Sequence, residues 1–139
     1  MKLQRYEIRD PARLIHDIAT RVELAEDSAY LALVHHPSTH QRLQEVRALA
    51  LPALLDDGER ISDELREAVQ AIVPQAAPHP PEYVVTTVVV RPGRCIFGPN
   101  EVVWSNGWRY ANHFAAAHTG DLLLVTEHGW VDLMTAEAG

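Results

Sequence analysis

Residues 74–90, PQAAPHPPEYVVTTVVV, decide how the chain is read. The first nine of them, Pro74–Glu82, include four prolines, which fix φ and favour extended backbone. Neither a helix nor an inner strand should run through this stretch, so it is a connector. The next eight, Tyr83–Val90, are rich in β-branched residues and apolar on both parities. That pattern predicts an inner strand covered on both faces.

The connector also separates two chemistries. Six of the seven glycines and seven of the nine aromatic residues follow Pro74, whereas nine of the twelve basic residues precede it. Each part alone is short for a full hydrophobic core. The expectation is one α+β domain over 1–139, with a mainly helical part (1–73), the connector (74–82) and a mainly β part (83–139). About three amino-terminal helices would pack on a carboxy-terminal, mainly antiparallel sheet of five or six strands, either open or bent into a partial barrel.

Working back from the connector, Ser62 with Asp63 and Glu64 predicts a capped helix whose face is Leu65, Ala68, Val69 and Ile72, closed by Pro74. Asp56, Asp57 and Gly58 read as the turn before it. Ser38 and Gln41 have capping-box spacing, and Leu43, Val46, Leu49 and Ala50 predict a second helix ending near Pro52. Asp10 before Pro11 has the form of an N-cap and first helical residue. Leu14, Ile15, Ile18, Val22 and Ala25 then recur at helical spacing, predicting a helix over about 11–26 that could extend to Val34. A short leading strand is read from the alternation over 3–8.

Working forward, Pro92 and Gly93 predict a turn, followed by short strands at Arg94–Phe97 and Glu101–Trp104. Asn106-Gly107 is the strongest hairpin signal in the chain and would join the Trp104 strand to one over Trp108–Phe114. His128-Gly129 would form a second hairpin between Leu122–Glu127 and Trp130–Met134.

Composition limits the function classes. Of 139 residues, 47% are hydrophobic and 22% charged, which is the make-up of a globular chain. A formal charge of −7 argues against a phosphate backbone as the main partner. Cys95 is the single cysteine, so an internal disulfide framework is excluded. No apolar run approaches the ~20 residues of a membrane span, and MKLQRYEIRD lacks the apolar core of a signal peptide. The expectation is a cytoplasmic protein without nucleic-acid or membrane partners, leaving a small molecule or another protein.

Within the predicted hairpin, Trp108 and Tyr110 share a parity with Phe114, and Trp104 lies across from them. With Asn106 and Arg109 they would form an aromatic wall able to stack a planar ligand, or alternatively fill the core. Arg91 and Arg94 flank the Pro92-Gly93 turn, and paired guanidinium groups can clamp an anion. Cys95, His113, His118, Asp121 and His128 are the candidates for a nucleophile and its acid–base partners. His35, His36 and His40 cluster in sequence, but Pro37 interrupts the helix that would align His36 with His40, and no CxxC or HExxH accompanies them. No metal or other cofactor is therefore expected. The first functional expectation is a small acidic binding or interaction protein using the aromatic and arginine surface. A small hydrolase or transferase using Cys95 or a loop histidine is one alternative, and a non-catalytic subunit whose acidic helices meet a basic partner is the other.

Overall fold

A computed structural model describes residues 6–111 and 113–139, excluding the side chain of Asp121. The element order is α1 (Pro11–Ala19), β1 (Ser28–His35), β2 (Arg42–Ala48), α2 (Gly58–Ile72), β3 (Tyr83–Val90), α3 (Pro99–Arg109), β4 (Ala117–Thr126) and β5 (Gly129–Asp132). The strands form one open sheet in the order β2-β1-β3-β4-β5. β3 and β4 are parallel, and the other three pairings are antiparallel.

The class is α+β, but the arrangement differs from the expected one of amino-terminal helices on a carboxy-terminal sheet. Two strands come from the first part, and one of the three helices from the second. β1 and β3 form the centre of the sheet and are buried almost throughout. Alternate residues serve opposite faces. Ala29, Leu31 and Leu33 with Val85 and Val89 pack under Ile61, Leu65 and Val69 of α2 and Trp104 of α3. Tyr30, Ala32 and Val34 with Val84 and Val88 pack against Leu14 and Ile18 of α1.

Several local expectations hold. Asp10 caps α1 by accepting from Arg13 N at 3.1 Å, with Pro11 as the first helical residue, although α1 ends at Ala19 and β1 replaces its proposed extension. The strand over 83–90 forms as read, and β4 and β5 make a hairpin through Glu127 and His128, with Gly129 at φ +128°. α2 starts five residues earlier than expected because Asp57, not Ser62, caps it. Ser62 instead lies inside the helix, donating its hydroxyl to the Gly107 carbonyl at 2.7 Å. Of the leading-strand residues 3–8, 3–5 lie outside the described residues, and 6–8 form no strand.

The helix expected near 38–52 is replaced by β2. Residues 36–41 make the turn before it, where the Gln41 N–H donates to the His36 carbonyl at 2.8 Å. Leu43 and Val46 looked helical because they are three apart, but a bulge explains the spacing. Leu33 pairs with Glu45 and Val34 with Leu43, so Gln44 is the extra residue. Leu43 and Val46 thereby reach the same face.

Of the strands expected over 94–114, Arg94–Phe97 is loop, and α3 takes the place of Glu101–Trp104 and of the Asn-Gly hairpin. In the Trp108–Phe114 stretch, of which residue 112 lies outside the described residues, no described residue is in a strand. Pro99 opens the helix, and Glu101 reaches back to accept from Gly98 N at 2.9 Å. The helix provides the crossover that the parallel β3–β4 pair requires. Gly107 is a contact residue here, not a turn residue, because a Cβ at that position would overlap the Ile61 side chain on α2. Tertiary packing and connection geometry override the local turn signal.

Candidate functional site

The register sets which side chains meet. His35 pairs with Tyr83, Tyr83 with Ala117, and Val84 with His118, so the end of β1 and the starts of β3 and β4 share one end of the sheet. His35, His36, the turn residue His40, His79 of the connector, His113 and His118 all gather there. Of the eight histidines, only His16 on α1 and His128 in the β4–β5 turn lie elsewhere. The opposite end carries Arg91, Arg94, Cys95, Glu127 and His128.

At that opposite end, Arg91 is committed to the fold. Its guanidinium donates to both Glu101 oxygens, at 3.0 and 2.8 Å, and to the carbonyls of Pro92, Arg94 and Ile96. These five bonds match the five N–H donors of a guanidinium, leaving none for a ligand. Glu101 is fully buried and also accepts from Gly98 N and Asn100. Burial pushes its carboxyl pKa upward, but the hydrogen bonds outweigh that and hold it below the usual carboxylate range. Arg94 is exposed.

The thiol candidates do not converge. The hydrogen bond of Cys95 Sγ goes to the Leu124 carbonyl at 3.9 Å, and no hydrogen bond or ion pair joins it to an imidazole or carboxylate among the described residues. His128 is exposed beside Glu127 at 3.5 Å, whereas His113 is at the other end of the sheet. Asp121 lies within β4, but its side chain is outside the description.

The proposed aromatic wall is divided by α3. Trp104 is wholly buried, its indole N–H donating to the Ala53 carbonyl at 2.8 Å. Trp108 is half-buried, donates to Thr87 Oγ1 at 2.6 Å and meets the His113 ring edge-on. Asn106 and Tyr110 instead line a cleft of about 410 Å³ with α2 residues including Glu59 and Arg66, and Arg109 ends α3 exposed to solvent.

At the histidine-rich end, a groove of about 500 Å³ lies between the connector and the segment entering β4, with Gln70, Ala77, His79, His113 and Phe114 among its walls. Phe114 is 92% exposed at φ +59°, an unfavourable backbone region for a bulky residue. His113 Nδ1 accepts from Ala115 N at 3.1 Å, so Nε2 carries the proton toward Thr119 Oγ1 at 3.2 Å. Burial lowers the His113 pKa and favours this neutral form. Both ring nitrogens are thus occupied, and His113 serves as a fixed wall.

Beside the groove, one donor atom each from His35, His36 and Glu82 lies within 4.8 Å of the other two. These residues could hold a metal ion, contrary to the expectation from sequence. The neighbouring histidines are visible in the sequence, but Glu82 joins them only through the antiparallel pairing of β1 with β3. A histidine pair ending one apolar strand and a carboxylate opening another would have been the available signal. No protein family, curated protein or solved structure compared with the chain matches it.

Proposed function

We propose that this is a binding protein whose ligand face is the histidine-rich end of the sheet, and that the groove beside Phe114 takes a small planar ligand. The observation that carries this reading is the Phe114 ring, 92% exposed at a positive φ. An apolar ring in water and a strained backbone both cost free energy, and such features concentrate where a ligand or partner offsets them. Gln70 lines the groove and donates to the His113 carbonyl at 3.2 Å, which holds its amide at that wall. His79 adds an exposed imidazole to the lining. Rings supply contact area and the amide and imidazole supply direction, as in small-molecule sites generally.

This reading keeps the binding class expected from the sequence and moves the surface away from Trp104 and Arg91. The separation of Cys95 from His113 favours it over a thiol hydrolase. It also treats the protein as cytoplasmic, with an unpaired thiol and a net negative charge that disfavours nucleic acid. No described helix is long and apolar enough to cross a membrane.

A library of aromatic and heteroaromatic fragments, screened by ligand-observed NMR and by Trp108 fluorescence, tests the proposal. Fragments should bind wild type and lose affinity in Phe114→Ala and Gln70→Ala. Equal binding to both variants, or an absence of binders, would contradict the reading.

A further inference from the structure

We propose that His35, His36 and Glu82 form a binding site for a divalent transition-metal ion of the zinc class. None of the three is among the residues lining the groove, so the site stands or falls separately from the reading above.

The distances point to the ion. His35 Nε2 is 3.4 Å from Glu82 Oε2, and His36 Nε2 is 3.9 Å from Glu82 Oε1. Charge-assisted N–H···O bonds settle near ~2.7–2.9 Å, so neither pair has closed as a direct ion pair would. Ligands held ~2.0–2.2 Å from a tetrahedral zinc stand about 3.3–3.5 Å apart. The His35 Nε2–Glu82 Oε2 separation already falls in that range, and His36 Nε2 lies 3.9 Å from the other oxygen, Oε1. One donor atom from each residue lies within 4.8 Å of the other two, so small side-chain rotations would close the set on an ion.

The scaffold holds the donors in place. His35 is the last residue of β1, and its ring stacks on its cross-strand partner Tyr83 with centroids 4.6 Å apart. The His36 N–H donates to the Glu82 carbonyl at 2.9 Å, tying two of the ligand-bearing residues together through their backbones. The His36 carbonyl accepts from Gln41 N, fixing the turn on its other side. Little ordering is left for the ion to impose, which favours binding.

The donor set selects the class of ion. Two imidazole nitrogens and one carboxylate suit zinc or cobalt, whereas magnesium and calcium prefer all-oxygen shells. The three side chains retain 25%, 41% and 37% exposure, giving the ion a path from solvent and leaving a fourth position for water. His40 is the next imidazole, its ring 5.8 Å from that of His36. Its Nδ1 faces Thr39 Oγ1 at 3.2 Å, and we leave it outside the ligand set. Metal and proton compete for imidazole nitrogens, so occupancy falls as the pH falls.

The test titrates the full chain, purified without a histidine tag, with cobalt(II) and zinc(II), read by cobalt's visible absorption and by calorimetry. One ion per chain is expected. His35→Ala, His36→Ala and Glu82→Gln should each weaken binding by about tenfold or more with circular dichroism unchanged, whereas His16→Ala on α1 should bind as wild type does. Magnesium and calcium should not compete. The proposal is overturned if wild type binds neither ion more tightly than the His35→Ala/Glu82→Gln double variant. It is equally overturned if affinity survives Glu82→Gln and follows His40, His79 or His113 instead.

Discussion

At one end of the sheet Arg91 and Glu101 close on each other at 2.8 and 3.0 Å, their side chains 13% and 0% exposed. At the other end His35 and His36 approach Glu82 only to 3.4 and 3.9 Å, and all three keep solvent contact. The first set has a partner for every guanidinium proton and therefore holds backbone in place, from Pro92 to the start of α3. The second is also positioned by its backbone, yet its donor atoms meet only at 3.4 and 3.9 Å, longer than a closed charge-assisted pair. Polar groups with satisfied partners build the fold, whereas positioned groups with incomplete geometry are the better place to look for a ligand.

The comparison predicts unequal responses to substitution. Arg91→Ala leaves the Glu101 carboxylate buried without its cation and should cost about 3–5 kcal/mol of stability in urea unfolding. A loss near zero would remove the distinction between the two ends. Zinc at about a hundredfold excess over its wild-type dissociation constant should raise wild-type stability by ~2.7 kcal/mol, and that of Glu82→Gln, bound about tenfold more weakly or worse, by ~1.4 kcal/mol or less. Equal stabilisation of both proteins would place the ion elsewhere.

Acid separates the ends in a further way. Burial lowers the His113 pKa from its ordinary 6.5, so the unfolded chain protonates first and stability declines as the pH falls below that value. Glu101 is likewise held below its ordinary 4.5, so the stability it contributes is full above 4.5 and is lost as the pH falls through its folded value. Metal-free unfolding free energies measured against pH should therefore fall in two stages. His113→Gln should remove most of the upper stage, and Glu101→Gln should shrink the lower one. The smallest effects belong to His35→Ala, Glu82→Gln and Phe114→Ala without metal, each within about 0.5 kcal/mol of wild type. A cost at His35 matching that at Arg91 would show the histidine end to be structural.

Much of the fold was legible where sequence signals are local. Asp10-Pro11 announces α1, the β-branched run announces β3, and His128-Gly129 announces the last hairpin. The misreadings arose where a distant contact decides. Gln44 bulges from β2 and gives its apolar residues helical spacing. Asn106-Gly107 looks like a turn until α2 is placed against it. The candidate site was legible only in its histidines, because Glu82 is 46 positions from His36 and joins it only through strand pairing. Arg91 stands out in the sequence as a cation, but its five acceptors depend on a loop and helix that the sequence reads as strands.

The most direct test of the account is an NMR titration of the full chain with zinc, following backbone amides and imidazole nitrogens together. Perturbations should centre on His35, His36, Glu82 and their neighbours Tyr83 and Gln41, with Arg91 and Glu101 unchanged. Shifts centred on the Arg91–Glu101 end, or no shifts at the three proposed ligands, would contradict the metal site at the histidine-rich end.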